Sequence, residues 1–339
     1  MKQDIVLVTG ISGFIGKHVA LSLAGAGYQV RGTVRNVEKA AQTRQTLEAN
    51  GVESDALSFV ETDLLADAGW AEAMAGCRFV MHVASPVAVS IPKDPNDLIR
   101  PAREGTERVL AHAEQAGVER LVLTSSEAAI LPFGSGNGHF NESSWADEGK
   151  GELPPYPASK TQAERAAWAF AEAHPNIQIA AVNPSVVLGP PLDKDVESSS
   201  LLIKVLMEGR YPATPKLDFA IVDVRDVANL HVAAMEHPAA AGKRFVASND
   251  HLTMLEISKI LADGLPAYAK KLPKRTMPNA LVWLIGLFDA DAKGIRRQLS
   301  VTRTVSNKRA GEALGFEFQH SGKDAVVAMG ARLVELGLV

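Results

Sequence analysis

The sequence predicts an α/β protein: a Rossmann-type, doubly wound parallel sheet with a smaller, mostly helical C-terminal lobe. Three observations predict this fold. Short apolar runs alternate with longer amphipathic stretches, which is the pattern of βαβ crossovers. A glycine-rich segment joins the first apolar run to the first amphipathic stretch. The chain has 339 residues, of which 46% are hydrophobic and 22% charged, so it can bury a large core and does not have a disordered composition.

The apolar runs predict six strands, and the amphipathic stretches predict five helices. Ile5 to Val8 and Leu121 to Leu123 are continuous apolar runs, typical of parallel strands that are covered on both faces. The strands are predicted at 5–8, 29–34, 58–61, 79–83, 120–124 and 177–182, and the helices at 15–26, 37–50, 70–75, 99–116 and 158–173.

After Pro184 the alternation becomes less regular, because serines at 198–200 and several prolines interrupt the chain. The sequence therefore predicts a Rossmann domain over residues 1–184 and mainly a second lobe over residues 185–339. Segments such as 245–247 are expected to return to the sheet.

Composition excludes several classes of protein. The formal charge is -4, with 35 basic and 39 acidic residues, so nothing favours a nucleic-acid partner. Cys77 is the single cysteine and is expected to be a small buried hydrophobe. The first residues lack a signal-peptide core, and the longest strongly apolar run, 280–288, is shorter than the roughly 20 residues of a membrane span. We therefore expect a cytoplasmic protein with no membrane partner, in which 280–288 forms a packed helix.

The glycine-rich segment has glycines at 10, 13 and 16, a G-x-x-G-x-x-G spacing between a predicted strand and a predicted helix. The first glycine permits a tight turn, the second lets backbone amides approach a pyrophosphate, and the third lets the helix pack on the strand. This context predicts a dinucleotide site.

Arg35 follows the second predicted strand, where NAD-specific folds usually carry an acidic residue. A guanidinium there would pair with a 2′-phosphate, so we predict NADPH/NADP⁺ as the cofactor, with Lys39 as a second positive charge. Asp63, just past the third strand, could accept a hydrogen bond from the adenine amino group or could cap a helix.

Tyr156 and Lys160 lie four residues apart at the start of a predicted helix, so their side chains share one face. A phenol has a pKa of about 10, and a neighbouring ammonium is expected to lower it toward neutrality. The same ammonium could hold the nicotinamide ribose. Ser125 and Ser126 at the end of the fifth strand offer a hydroxyl donor.

These residues resemble the extended short-chain dehydrogenase/reductase family, in its branch of dihydroflavonol reductases, cinnamoyl-CoA reductases and microbial aldehyde reductases. The similarity runs from residues 28–35 through F-V-M-H-V-A-S-P at 79–86 to G-F-E-F at 315–318. It implies that Ser126, Tyr156 and Lys160 are catalytic, with Tyr156 as the proton donor. The cofactor-binding residues expected from the glycine segment and from the resemblance are Gly10, Ser12, Gly13, Phe14, Ile15, Gly16, Arg35, Lys39, Asp63, Leu64, Val83, Ala84, Ser85, Thr124, Tyr156, Lys160, Pro184, Ser185, Val186 and Ser199.

The chain departs from the family pattern at two informative positions. Glu127 stands where a small residue normally follows the catalytic serine, which affects the local shape of the pocket. Leu131 stands near the position where plant dihydroflavonol reductases carry a polar reader of flavonoid hydroxyls. A hydroxyl buried there would lack a partner, which argues against a flavonoid substrate.

Several polar residues are expected to be structural. His82 is expected to pack at a strand end, and the spacing of His231 and His237 does not match a zinc helix. Asp223, Arg225 and Asp226 resemble a helix-start network. No metal site is predicted.

We therefore expect an NADPH-dependent carbonyl reductase that acts on a small apolar or aromatic aldehyde or ketone, with a homodimer as the candidate assembly. Its pocket is expected near residues 86–91, at 130–133 and in the lobe after Pro184. Two alternatives remain: an NAD-dependent nucleotide-sugar epimerase or dehydratase of the same fold, and a non-catalytic NADP-binding sensor.

Overall fold

A computed structural model of the chain describes residues 4–86, 92, 94–134, 136–149, 151–195 and 198–339. The strands are β1 (Ile5–Thr9), β2 (Gln29–Val34), β3 (Leu57–Glu61), β4 (Cys77–His82), β5 (Arg120–Thr124), β6 (Gly138–Phe140), β7 (Gln178–Pro184), β8 (Val186–Leu188), β9 (Asp218–Asp223), β10 (Arg244–Ala247), β11 (Asp250–Thr253) and β12 (Arg303–Val305). The helices are α1 (Phe14–Gly25), α2 (Val37–Ala49), α3 (Trp70–Met74), α4 (Asn96–Gln115), α5 (Pro155–Ala173), α6 (Ser198–Met207), α7 (Val224–Glu236), α8 (Met254–Gly264), α9 (Asn279–Ile285), α10 (Ala290–Ile295), α11 (Lys308–Leu314) and α12 (Gly322–Glu335).

Seven strands form a parallel central sheet in the order β10-β7-β5-β4-β1-β2-β3. All six predicted strands lie in this sheet, so the predicted fold class is confirmed. The strand order reverses beside β1, and in open α/β sheets such a reversal leaves a crevice at the carboxyl ends of the strands. Two small sheets, β11-β9-β8 and β12-β6, belong to the rest of the chain.

The central strands are covered on both faces, which explains their continuous apolar runs. Val6 and Val8 of β1 pack into one hydrophobic cluster, whereas Leu7 between them packs into the other. Successive side chains of a strand point to opposite faces, so each face needs apolar residues. Cys77 is buried at the start of β4, as predicted, and burial raises the pKa of its thiol.

The prediction of a packed helix at residues 280–288 is wrong: a helix forms over most of this segment, but most of its apolar side chains are exposed. Within α9 only Val282 is buried, in a small cluster with Leu217 and Leu299. Trp283 is 53% exposed, and Phe288, just beyond the helix, is 90% exposed. The segment is apolar on every side while the body of the protein covers only one side, which the sequence pattern does not reveal. None of the helices in the described part of the chain combines the length and apolar character needed to cross a membrane.

Candidate active site

The glycine segment forms a tight loop between β1 and α1, against the end of β4. Gly10 has a φ of +64°, and a Cβ on it would lie 2.9 Å from the Cα of Ala84. A Cβ on Gly16 would lie 2.3 Å from the carbonyl oxygen of Gly10. Glycine is therefore required at both positions, because a side chain would push the loop away from its neighbours.

The start of α1 is suited to a phosphate group. Its N-cap, Gly13, has no side chain that could cap the helix, so the first-turn amides keep free hydrogen-bonding capacity. Ser12 lies in the loop, while Phe14 and Ile15 open the helix. Uncapped amides at a positive helix end fit the pyrophosphate of a dinucleotide.

Hydrogen bonds hold residues 83–85 beside this loop. The amide of Ala84 donates to Oγ1 of Thr9 over 3.0 Å, and Thr9 is hydrogen-bonded to Nδ1 of His82 over 2.9 Å. Burial lowers the pKa of His82 to about 3, so its ring is neutral at pH 7. His82 ends β4 as a structural residue, as predicted.

The groups expected to bind the adenosine end lie beyond β2 and β3. Arg35 is exposed and makes no ion pair with any residue that the structure describes. Nζ of Lys39 lies 2.6 Å from Oδ2 of Asp195, so its charge already has a partner. Asp63 accepts a hydrogen bond from the amide of Leu65 over 2.9 Å, and the cap of α3 is Gly69 instead. Leu64, beside Asp63, is half-buried against Gly105.

Ser126, Tyr156 and Lys160 come together at the carboxyl end of β5. Ser126 lies two residues after the end of β5, accepts a hydrogen bond from the amide of Ala128 over 3.1 Å, and is hydrogen-bonded through its side chain to Tyr156. Tyr156 is 41% exposed as a residue, while its hydroxyl lies inside the protein. Lys160, one turn further along α5, is buried, with Nζ 3.5 Å from the carbonyl oxygen of Thr124.

The electrostatics of this group differ from the prediction. Burial raises the pKa of Tyr156; the hydrogen bond from Ser126 opposes this increase, and the nearby Glu127 adds to it. Burial also lowers the pKa of Lys160 to about 8, against the pull of Glu164. The expectation that Lys160 brings the tyrosine pKa down is therefore not met in the chain alone, because desolvation dominates at both groups. Tyr156 is a protonated phenol at neutral pH.

One small crevice brings several predicted cofactor residues to the ammonium of Lys160. Ala84, Ser85 and Thr124 line it together with Lys160. Val83 leads into this segment, and Pro184 ends the neighbouring β7. Three predicted residues lie further along the chain: Ser185 is tied to the carbonyl of Ala247, Val186 begins β8 and Ser199 lies in α6.

The structure corrects one part of the predicted substrate pocket, the contribution of Ile130. Ile130, which ends the short helical turn after Ser126, is fully buried, so its side chain is not accessible to a substrate. Leu131 and Phe133 are half-exposed and remain candidates. The expected contribution of 86–91 falls, beyond Pro86, outside the described residues.

Glu127 places a carboxyl group beside the catalytic residues. Its Oε2 atom is buried and has no hydrogen-bond partner in the described part of the chain. Burial raises its pKa to about 8, and Arg303 partly opposes this increase. At pH 7 the side chain is therefore mostly a neutral acid, which avoids the cost of an unpaired buried charge.

The remaining polar candidates are structural, as predicted. Asp223 caps α7 and pairs with Arg225, with 2.8 Å between Oδ2 and Nη2. His231 is buried, with Nε2 2.7 Å from Oγ1 of Thr124 and Nδ1 2.8 Å from the carbonyl oxygen of Val227. In the part of the chain that the structure describes, no cluster of side chains could hold a metal ion.

Sequence reasoning missed the buried polar network behind the site, formed by Glu164, Arg244 and Asn183. The spacing of residues 156, 160 and 164 could have indicated Glu164, because residues four apart lie one turn apart on the same face of a helix.

A parallel sheet with a glycine loop at its switch point, and a serine, tyrosine and lysine beside that loop, defines a dinucleotide-binding protein of the Rossmann class. Comparison with known proteins agrees, since the pattern of the NAD dependent epimerase/dehydratase family matches residues 6–247. The chain belongs to this family, and its resemblance to the extended short-chain dehydrogenases/reductases is confirmed.

Similar proteins match along most of the chain. A ketoreductase of Aspergillus niger is 33% identical over 327 residues, which cover 91% of this chain and 96% of that protein. A dihydroflavonol 4-reductase of Zea mays is 32% identical over 329 residues, covering 94% of this chain and 85% of that protein. The yeast methylglyoxal/isovaleraldehyde reductase Gre2, solved in complex with NADPH, superposes with a TM-score of 0.82 at 28% identity, over 99% of this chain and all of that one.

Proposed function

We propose that this protein is an NADPH-dependent carbonyl reductase that reduces an apolar or aromatic aldehyde or ketone, with Tyr156 as the proton donor. The observation that carries the proposal is the meeting of Ser126, Tyr156 and Lys160 at the carboxyl end of β5. This group lies across the switch point of the sheet from the glycine loop, where a bound dinucleotide would place its reactive end.

The class of enzyme and the cofactor expected from the sequence are confirmed: the chain is an oxidoreductase that uses NADPH/NADP⁺. When bound, NADPH supplies the hydride. The exposed Arg35 beyond β2 offers a fork of donors to the 2′-phosphate, which is the group that distinguishes NADPH from NADH. The first-turn amides of α1, which no side chain caps, would hold the pyrophosphate.

The chain's own residues would manage the proton. A phenol is protonated at neutral pH, and burial raises the pKa of Tyr156 further, so its hydroxyl is ready to donate to the oxygen of a carbonyl that is being reduced. Ser126 would hold the same oxygen through its hydroxyl. Because its pKa is about 8, Lys160 is mostly positively charged at pH 7, and it would hold the nicotinamide ribose from the crevice beside Thr124.

The preference for an apolar substrate is supported by Leu131 and Phe133, which are both half-exposed after the catalytic serine. Contact with an apolar wall contributes roughly 25 cal/mol for each Å² of apolar surface that is buried. A polyhydroxylated substrate would lose water there without gaining hydrogen-bond partners.

The test is oxidation of NADPH with a panel of aromatic aldehydes, using Tyr156→Phe and a matched Tyr211→Phe control. Tyr211 is 53% exposed in the second half of the chain, so loss of its hydroxyl should change nothing. Tyr156→Phe should lower turnover by about 10²- to 10⁴-fold, the usual contribution of a general acid, with NADPH affinity retained. Near-full activity of Tyr156→Phe would refute the proposal.

A further inference from the structure

Glu164 is a fully buried carboxylate on α5, one turn after Lys160. Its Oε1 accepts from Nε of Arg244 over 2.6 Å and from Nε1 of Trp168 over 3.2 Å. Its Oε2 accepts from Oγ of Ser125 over 2.6 Å, from Nδ2 of Asn183 over 2.9 Å and from Nη2 of Arg244 over 3.1 Å. Five hydrogen bonds from four neighbouring residues therefore converge on the two carboxylate oxygens.

Arg244 ties this carboxylate to several elements. Its guanidinium also donates to the carbonyl oxygens of Ser144 over 2.7 Å and Glu142 over 3.0 Å, and it stacks over the ring of Trp145 at 3.8 Å. If Glu164 had only a structural role, its pairing with Arg244 would be sufficient, because a buried carboxylate needs a buried counter-ion.

The donors on Oε2 connect Glu164 to the catalytic serine. Ser125 immediately precedes Ser126, and Nδ2 of Asn183 donates both to Glu164 and, over 3.2 Å, to the carbonyl oxygen of Ser126. The carboxylate therefore fixes the backbone on both sides of the peptide that presents the Ser126 hydroxyl.

Glu164 also acts on the lysine. Lys160 and Glu164 line the same crevice, and both are buried. We propose that Glu164 is a positioning residue of the reductase, whose carboxylate keeps Lys160 charged and holds Ser126 in place through Ser125 and Asn183. This inference rests on the proposed function, since it assigns a task in that same site.

The other titratable groups that face Lys160 do not supply this charge. His82, at the end of β4, is a neutral ring, and Tyr156 on α5 is a neutral phenol. Glu127, in the turn after Ser126, is mostly protonated at pH 7. Glu164 is the group that opposes the effect of burial on the pKa of Lys160. Without its charge, that pKa falls below about 8 and the ammonium is lost at lower pH.

The experiment compares Glu164→Gln with Arg244→Gln. Both variants break the same buried ion pair, so both should lower the melting temperature, but only Glu164→Gln removes the negative charge beside Lys160. Glu164→Gln should move the alkaline limb of the kcat/KM profile for NADPH-dependent aldehyde reduction down by about one pH unit, the lower end of the effect of a close opposite charge. Arg244→Gln should leave that limb in place or move it up. An unmoved limb in folded, NADPH-binding Glu164→Gln would overturn the inference.

Two further variants keep the inference testable if loss of the ion pair prevents folding. Glu164→Asp retains the negative charge on a shorter side chain. The alkaline limb of its kcat/KM profile should therefore lie at the same pH as in the unmodified enzyme, while kcat is reduced. Ser125→Ala removes one link to Ser126 without a change of charge, so it should lower kcat at an unchanged limb, and a normal kcat would contradict the positioning role. Tyr156→Phe separates the two proposals: if it is inactive while every variant of the network is normal, only this inference fails.

Discussion

Gly16→Ala offers a direct test of how the glycine loop is built. The new Cβ would lie 2.3 Å from the carbonyl oxygen of Gly10 and 2.9 Å from the Cα of Ile11, and both of these atoms belong to the backbone. Because real Cβ contacts essentially never fall below 3.0 Å, the loop and the helix would have to separate by about 0.7 Å. No flexible side chain can absorb this shift.

The expected magnitude follows from two opposing effects. Replacing a helical glycine with alanine gains about 1 kcal/mol of helix propensity. Overpacking costs about 1–3 kcal/mol, and we take the upper end, about 3 kcal/mol, because only backbone can yield here. The expected net loss of stability is therefore roughly 2 kcal/mol. NADPH binding should weaken as well, because the displaced loop carries the amides that face the pyrophosphate.

Gly25→Ala is the matched control, since Gly25 ends the same helix and a Cβ there would meet nothing within 4 Å. This variant should be neutral or more stable by up to about 1 kcal/mol. Urea unfolding and titration of NADPH by fluorescence would measure both effects. Equal stability and equal NADPH affinity of the two variants would refute the argument from the loop geometry.

Three further outcomes are expected. Arg35→Glu should erase or reverse the preference for NADPH over NADH, because each charge-assisted hydrogen bond that is lost removes about 1.5–3 kcal/mol of NADPH binding. Equal kcat/KM with NADPH and NADH in the unmodified enzyme would contradict the role of Arg35. Leu131→Asn should narrow the gap in kcat/KM between simple aromatic carbonyls and dihydroflavonols, and an unchanged ratio would mean that Leu131 does not face the substrate. Glu127→Gln should stabilise the fold, relative to the unmodified chain, increasingly as the pH rises from about 4.5 to about 8, because the carboxyl pKa is raised on folding and its ionisation then opposes the folded state. Unfolding curves at pH 5 and pH 9 would measure this difference, and a constant difference would refute it.

The sequence predicted those parts of the structure that depend on local pattern. Runs such as Ile5 to Val8 are apolar without interruption. This pattern predicts a strand that is covered on both faces, because each face then needs apolar side chains. The shared helix face of Tyr156 and Lys160 in α5 was also predictable from the sequence, because residues four apart in a helix lie on one face.

The remainder depends on contacts between distant residues. The network of Glu164 with Arg244 joins positions 80 residues apart, and nothing in the local sequence pairs them. Ile130 and Leu131 have similar apolar character, yet one is fully buried and the other half-exposed, because the turn after Ser126 orients them differently. The apolar segment at 280–288 shows the same limit: hydrophobicity predicts a helix there but not what covers it.

The ion pair between Glu164 and Arg244 has a consequence for the order in which the protein matures during synthesis. Ser126, Tyr156 and Lys160 leave the ribosome well before Arg244, which belongs to the edge strand β10. Until that strand docks beside β7, Glu164 lacks its counter-ion and cannot be buried without a large cost. A nascent chain that ends before β10 therefore contains every catalytic residue but cannot assemble the finished site, so activity appears only once the last strand of the sheet is in place.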